Sequence, residues 1–337
     1  MKPWHPTLYT YWYAAARSDQ LRRRPVAVTV LDQPIVLARL RDGQLLALED
    51  RCPHRQAPLS AGCRTSTGIA CPYHGWTFGS DGALQTIPGM PPGLPLPGVR
   101  ARSFPVKEHD GLIWLRPADT GAAEPGELVM TSQPARRRFL WQTRWQAHVV
   151  DAMENFLDPM HTHAIHPGLV RRDGERKRTT VRFNGTAEGF CVDYSSQDRQ
   201  SGLLFRLFES PRTRERAHFS APGSAQIEYG YANGSTVRIT LHFTPRTAGD
   251  TEVFATLHVE GRWAPAWAVR LLVWPFLRRV GEQDRRILQL QSENMKRFPE
   301  QRGASTRLDV VRTSLEQFWS GNGLPQADES HEIEMML

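Results

Sequence analysis

With 337 residues, 40% hydrophobic and 23% charged, the chain has an ordinary globular composition, which excludes wholesale disorder and a coiled coil. At roughly 150 residues per domain it has room for about two, each able to bury a core without disulfides. The net charge is +7 and all but four of the 42 basic residues are arginine. Basic clusters at 22–24, 136–138 and 171–172 come without a helix-turn-helix, zinc-finger or aromatic-platform pattern, so they point to solvated faces or an acidic redox partner, not nucleic acid.

No apolar stretch followed by a small-residue cleavage site opens the chain, so no signal peptide is expected. Four cysteines are too few for a disulfide scaffold, and a cytoplasmic setting is expected, where paired cysteines mean metal. Residues 34–40 and 44–50 alternate around Asp42-Gly43, a hairpin signal. Residues 87–97, with Pro or Gly at seven of eleven positions, predict an irregular loop, and 112–115 a strand. Residues 117–125 have linker composition, which divides the chain into domains at 1–118 and 119–337.

Beyond the linker, residues 149–166 predict a helix. Segments 178–183, 190–194, 224–229, 236–243 and 252–260 alternate as strands of an antiparallel sheet. Residues 263–280 form the longest apolar run, but Arg270, Pro265 and Pro275 interrupt it too often for a membrane span. It and residues 284–298 predict two C-terminal helices, and 321–337 a loosely ordered tail. Residues 178–260 and the 263–280 helix, rich in Trp, Leu and Val, suit a pocket for an aromatic or otherwise apolar body, with Arg206 or Arg238 able to meet a carboxylate.

Cys52-Pro53-His54 is followed, after sixteen residues, by Cys71-Pro72-Tyr73-His74. Two thiolates and two imidazoles admit a tetrahedral zinc or a [2Fe–2S] cluster with two Cys on one iron and two His on the other. Zinc sites usually group Cys with Cys and His with His along the chain, whereas here each half mixes the two, which is the Rieske arrangement. Imidazoles are neutral where thiolates are charged, so such a cluster accepts electrons at a higher potential than an all-Cys one. Cys63 and Cys191 have no partner at metal spacing and are expected to be packing thiols.

The second constellation is Asn155-x-x-Asp158-x-x-His161-x₄-His166. Asn155, Asp158 and His161 fall three residues apart and so share a helix face. His166 lies five residues beyond His161, so the helix must distort or turn if both imidazoles are to meet one metal. Two His and a distant carboxylate form the facial triad of non-haem Fe(II), which leaves positions open for O₂. His163, at the wrong spacing, is a packing residue or supports the ligands. For the carboxylate, Asp284 in Gly281-Glu282-Gln283-Asp284 is the first candidate and Glu282 the second; Asp284 could instead cap a helix N-terminus.

Over nearly its whole length the chain resembles the α subunit of Rieske non-haem iron oxygenases, above all the short branch typified by vanillate O-demethylase and dicamba monooxygenase. That resemblance implies an α+β protein, with an N-terminal all-β Rieske domain and a C-terminal helix-grip domain of antiparallel sheet and helices. It implies that Cys52, His54, Cys71 and His74 hold the cluster and that His161, His166 and Asp284 hold the iron. Asp158 then links the two centres of neighbouring subunits, and Asn155 lies near the iron. It also implies a homotrimer, O₂ as substrate, and an NAD(P)H-dependent reductase or ferredoxin as donor.

Three functions compete on the sequence alone. A terminal oxygenase needs both metal sites, a Rieske electron carrier only the first, and a zinc-stabilised interaction protein would be colourless. The His161/His166 pattern favours the oxygenase. Hydroxylation or O-/N-demethylation is favoured over ring cis-dihydroxylation by the resemblance to the short branch.

Overall fold

The structure, a computed structural model, describes residues 4–121, 124, 138–170, 176–195, 210–260, 267, 269–301 and 303–337. The chain forms two compact units, Met1–Pro125 with Thr244–Thr247, and Gly126–Phe243 with Ala248–Leu337. The expected linker at 117–125 and the basic clusters at 136–138 and 171–172 lie wholly or partly outside the described residues, as do Arg206 and part of the 263–280 run.

The first unit is built from three small antiparallel sheets. Strands β1 (Tyr13–Arg17), β9 (Val106–His109) and β10 (Leu112–Leu115) make one; β2 (Val26–Val30), β3 (Gln33–Arg39) and β4 (Leu45–Glu49) another; β5 (Cys63–Arg64), β6 (Gly68–Ala70), β7 (Thr77–Gly79) and β8 (Leu84–Thr86) the third. The β3–β4 hairpin turns where its sequence predicts, with Gly43 at φ +92° and the Asp42 carboxylate accepting from the Gln44 N–H at 2.9 Å. Val36, Ala38, Leu46 and Leu48 from that hairpin pack with Leu59, Ile69 and Phe78, and both Cys52 and Cys71 are buried in the same cluster. Residues 87–97 carry no strand or helix, as expected.

The second unit is an eight-stranded antiparallel sheet in the order β11-β17-β16-β15-β14-β13-β12-β18. The strands are β11 (Arg138–Trp145), β12 (Arg178–Thr186), β13 (Gly189–Tyr194), β14 (Arg212–Ser220), β15 (Ser224–Tyr231), β16 (Thr236–Thr247), β17 (Asp250–Glu260) and β18 (Ser330–Met336). Four helices accompany them among the described residues: α1 (Val149–Leu157), α2 (Thr162–Ile165), α3 (Trp274–Arg297) and α4 (Arg312–Trp319). One sheet face is apolar: Phe183, Phe190 and Phe219 stack in a row, Phe219 meets Phe318 of α4 at 5.7 Å, and the Tyr194 hydroxyl donates to the Leu157 carbonyl of α1 at 3.2 Å.

Several sequence expectations are corrected here. The 149–166 helix stops at Leu157, because Asp158 precedes Pro159 and adopts an extended conformation (φ −89°, ψ +118°) that proline favours in its predecessor. Asn155, Asp158 and His161 therefore do not share one helix face. The two C-terminal helices are one: a π-helical turn, Val269–Val273, runs straight into α3, whose first turn tolerates Pro275. Instead of a loose tail, the C-terminus contains β18, which pairs along β12 and buries Met335 and Leu337. Cys63 is exposed, so it is not a packing thiol. Strands β11 and β14 and helix α4 were not anticipated.

The opposite sheet face holds a ladder of charge. Glu332, Arg182, Asp193, Arg216, Glu228 and Arg238 stand directly opposite one another on β18, β12, β13, β14, β15 and β16. Arg238 bonds Glu228 at 2.9 Å and Glu260 of β17 at 2.5 Å, so it is committed to protein carboxylates and not held out for a ligand. In the adjacent row, His218 lies opposite Cys191 and Gln226. Burial, reinforced by Arg216, pushes the His218 imidazole down to about 4, against opposing contributions from Glu228 and Asp193.

A depressed histidine keeps its proton in the unfolded chain and loses it in the folded one. His218 therefore costs no stability above about pH 6.5 and progressively more as pH falls toward 4. At pH 4.5 the penalty is about 2–3 kcal/mol relative to pH 7.5. Unfolding free energies from urea titrations of the parent and His218→Gln should diverge by that amount between these two pH values. Equal acid sensitivity of the two proteins would show that His218 does not control this limb.

Candidate metal centres

The two cysteine loops of the first unit are built alike. The Cys52 N–H donates to the Ala57 carbonyl at 2.8 Å and the Gln56 N–H returns to the Cys52 carbonyl at 2.8 Å. Six residues are folded in the same way in the second loop: Cys71 N–H to Trp76 carbonyl at 2.8 Å, and Gly75 N–H to Cys71 carbonyl at 3.0 Å. The equivalent residues Gln56 and Gly75 both take positive φ, +62° and +70°, which lets each loop close.

Donors in these loops pair by type and not by loop. The Cys52 and Cys71 thiols are neighbours, and burial together with the Cys71 thiol pushes Cys52 up. The imidazoles of His54 and His74 lie 4.7 Å apart between ring centroids, and Trp76 stacks on His54 at 4.3 Å with only 4° between the planes. The buried His54 Nδ1 has no hydrogen-bond partner. A single tetrahedral zinc would draw all four donors within about 4 Å of one another. Among the described residues no three of these four donors satisfy even a 4.8 Å limit. One thiol pair and one imidazole pair suit the two irons of a [2Fe–2S] cluster.

In the second unit, His161, His166 and Asp284 bring one donor atom each within 4.8 Å of one another. His161 and His166 flank α2 as its N-cap and C-cap residues, so one short helical turn delivers both imidazoles. The turn begins at Pro159, whose carbonyl accepts from the Thr162 N–H at 3.2 Å and hydroxyl at 2.6 Å. Asp284 sits inside α3, buried with Leu288, and so is not a helix cap. Its Oδ1 lies 3.0 Å from His166 Nε2 and 3.6 Å from His161 Nε2. Neither His166 Nε2 nor Asp284 Oδ1 completes a hydrogen bond of acceptable geometry, although both are buried. Two imidazoles and a carboxylate converging in this way fit a divalent iron.

The remaining expected residues lie close by in the chain. The Asp158 carbonyl is 2.5 Å from His161 Nδ1, which must donate because a carbonyl only accepts, so in the neutral imidazole Nε2 is the nitrogen able to ligate. The Asp158 carboxyl is pushed up to about 6 by burial, with Glu154 and Asp309 adding and the Met160 N–H opposing. Asn155 keeps a buried side-chain oxygen without a partner, and His163 is buried at 2% exposure. Glu282 does not join the group: it is exposed and bonds Arg285 at 2.8 Å. Burial also lowers His166, but Asp284 and Gln283 outweigh it and raise the imidazole.

Two contributors escaped the sequence reading. The Gln283 side-chain oxygen accepts from His166 Nδ1 at 2.9 Å. Arg312 of α4 donates to Asp151 and Glu154 of α1, each at 2.6 Å, fixing the helix that leads into Asp158. Gln283 stands beside Asp284 in sequence, but only the fold brings it to a histidine far upstream. Arg312 belongs to an unanticipated helix and carried no signal.

Residues 11–105 match the Rieske [2Fe-2S] domain family, and residues 145–315 match the vanillate O-demethylase oxygenase C-terminal domain. The chain belongs to the Rieske non-haem iron oxygenases. It is 38% identical over 263 residues (73% of this chain, 75% of the relative) to a putative toluene-4-sulfonate monooxygenase system iron-sulfur subunit of Comamonas testosteroni. It is 35% identical over 165 residues, 48% of each chain, to the oxygenase component of dicamba O-demethylase from Stenotrophomonas maltophilia. The fold superposes on NdmA of Pseudomonas putida, solved with caffeine, with a TM-score of 0.78 at 23% identity, covering 92% of this chain and 90% of that one. This Rieske oxygenase is thus an oxidoreductase with a [2Fe–2S] cluster domain and a mononuclear iron site in one chain.

The matched loops make a testable asymmetry in this oxygenase. Gly75→Ala places a side chain at φ +70° and a Cβ 2.7 Å from Pro88 Cγ, a strain of about 1–2 kcal/mol before any clash. Gln56→Gly removes a side chain from the same backbone region and should be tolerated. On a thermal ramp followed by cluster absorbance, the alanine variant should bleach several degrees below the parent and the glycine variant close to it. Identical ramps for Gly75→Ala and the parent would refute the strain.

Proposed function

We propose that this chain is the terminal oxygenase component of a Rieske-type system and carries out monooxygenation, by hydroxylation or O-/N-demethylation, of a small aromatic or otherwise apolar molecule. The observation that carries this is the presence, in one chain, of two mixed Cys/His loops and a separate buried His161–His166–Asp284 group. An electron carrier would have no use for the second site. Toluene-4-sulfonate and dicamba appear in the relatives' names and caffeine in a solved neighbour, and all three are aromatic.

In this proposal Cys52, Cys71, His54 and His74 of the 1–118 domain ligate the cluster, and His161, His166 and Asp284 of the 119–337 domain ligate the iron. When bound, the iron supplies reductive O₂ activation with electrons relayed by the cluster. The chain's own work is positional. The Asp158 carbonyl and Gln283 hold the two imidazoles by Nδ1, so that both offer Nε2. Asn155 lies at the end of α1 with its unpartnered oxygen available to a polar group near the metal. Along α3, Trp274 and Leu277 lie two to three turns before Asp284; with Phe139, Trp141, Tyr229 and Ile239 they pack against one buried cluster, and Trp274 meets Phe139 and Trp141 directly, an apolar wall that favours a ring and excludes water.

Electrons enter from an NAD(P)H-dependent reductase or ferredoxin in a cytoplasmic setting, and three copies assemble so that the cluster of one chain serves the iron of the next. Asp158 links the two centres across that junction. Support for the trimer comes from family membership, and Asp158 is suited to the link because its backbone already holds His161.

Loaded protein should contain about three irons and two acid-labile sulfides per chain. His161→Ala should remove one iron and leave the cluster absorbance unchanged; loss of the visible spectrum would merge the two sites and refute their separation. With candidate methoxy- or N-methyl-arenes, O₂ uptake coupled to formaldehyde release identifies demethylation, and a cis-diol product would displace it.

Intersubunit transfer is tested by mixing two inactive variants, Cys52→Ser and His161→Ala. Mixed trimers should regain partial activity, since an intact cluster on one chain can serve an intact iron on its neighbour. Verified mixed trimers without any activity, or a fully active monomer, would defeat this route.

A further inference from the structure

We infer that Gln283 is the positioning residue for His166, fixing which imidazole nitrogen faces the mononuclear metal. The inference rests on the proposed His161–His166–Asp284 iron site. His166 is 1% exposed, and consecutive residues of α3 bracket its ring. Gln283 Oε1 stands 2.9 Å from Nδ1, and Asp284 Oδ1 stands 3.0 Å from Nε2. Successive helical positions diverge by about 100°, and the flat imidazole fits between the two side chains.

These contacts are chemically different. The Nδ1 contact is a hydrogen bond, whereas Nε2 and Asp284 Oδ1 approach without forming one. An amide oxygen only accepts, so Nδ1 carries a proton, and in the neutral imidazole that metal binding requires Nε2 then offers its lone pair. His161 reaches the same state by donating Nδ1–H to the Asp158 backbone carbonyl. A backbone carbonyl cannot be lost by substitution, but the Gln283 side chain can. His166 thus depends on a replaceable side chain for its tautomer.

Replacing Gln283 by an apolar residue leaves His166 Nδ1 with no acceptor in a buried site. The proton can then settle on Nε2, where it would bond Asp284 and block both ligands at once. An orienting partner of this kind is generally worth about 10–100-fold in metal affinity. The choice of an amide has its own consequence. It supplies the acceptor without a second negative charge, so Asp284 is the sole anion among the four groups that meet here.

The test uses the full-length chain with its cluster loaded and the mononuclear site emptied by chelation. Fe(II) affinity is measured by anaerobic equilibrium dialysis, with cluster absorbance and melting temperature as checks on folding. Gln283→Leu should bind Fe(II) about 10–100-fold more weakly than the parent. Gln283→Asn, whose shorter side chain withdraws the oxygen, should behave likewise, and this arm decides the matter if the leucine variant does not fold. Gln283→Glu restores an acceptor at the same reach and should bind within about threefold of the parent or tighter. Parent-like affinity in the leucine and asparagine variants would overturn the inference, and so would a glutamate variant as weak as leucine. A His166→Ala control that still binds Fe(II) like the parent would instead overturn the iron-site reading itself.

Discussion

The second unit is organised around one electrostatic constraint: a carboxylate and two imidazoles are forced to within 4.8 Å of one another in a largely buried place. Without a cation this arrangement is unfavourable, because each buried donor left without a hydrogen bond costs about 1–3 kcal/mol. His166 Nε2 and Asp284 Oδ1 are both in that condition. A divalent metal turns the same crowding into ligation, which requires deprotonated carboxylate and neutral imidazole. The fold must therefore hold the three side chains in place against their own preference to separate. It does so with a proline-started turn for the histidines and the uninterrupted interior of a 24-residue helix for the aspartate.

The same features explain what the sequence disclosed and what it hid. Both Cys/His loops were legible because their Cys and His lie within a few residues of each other, where chain connectivity alone keeps them together. His161 and His166 were legible for the same reason, and the need for the chain to turn between them was evident from their five-residue separation. The form of that turn was not: periodicity carried the helix through Asp158, although Pro159 ends it there. Asp284 was read against a possible helix cap because apolar and polar halves of α3 look like separate helices. Gly281 and the change in composition suggest a break that the backbone hydrogen bonds simply bridge. Gln283 and Arg312 act on residues more than a hundred positions away, and no local pattern can announce that.

Charge was the least legible property. A surplus of arginine reads as a basic surface, yet much of it is consumed internally. Arg182, Arg216 and Arg238 each face a carboxylate on a neighbouring strand, and Arg312 is shared by Asp151, Glu154 and Glu316. Strand β14 was missed for this reason. Its outward residues include Arg214 and Arg216, both bonded to carboxylates on neighbouring strands, and its inward row includes Glu215, which pairs with the fully buried Arg212. Alternation of charged with charged looks like a solvated loop until the partners on adjacent strands are known. Planar guanidinium groups suit such ladders because each can bond two carboxylates at once, as Arg238 does.

The two metal centres solve related problems with opposite symmetry. In the cluster domain two equivalent loops each present one thiol and one imidazole, so the proposed ligands form two like pairs, all from protein side chains. That set is closed, which suits a group whose task is to gain and lose an electron with little rearrangement. The proposed iron site draws two donors from one turn and a third from a helix, and no fourth His, Cys, Asp or Glu joins them among the described residues. Three protein donors leave coordination positions vacant for small molecules, the requirement for O₂ chemistry at non-haem iron. Openness carries a cost in rigidity, since fewer donors constrain the geometry. Hydrogen bonds to the Nδ1 atoms of both histidines would compensate for it by holding the imidazoles in place when a metal is bound.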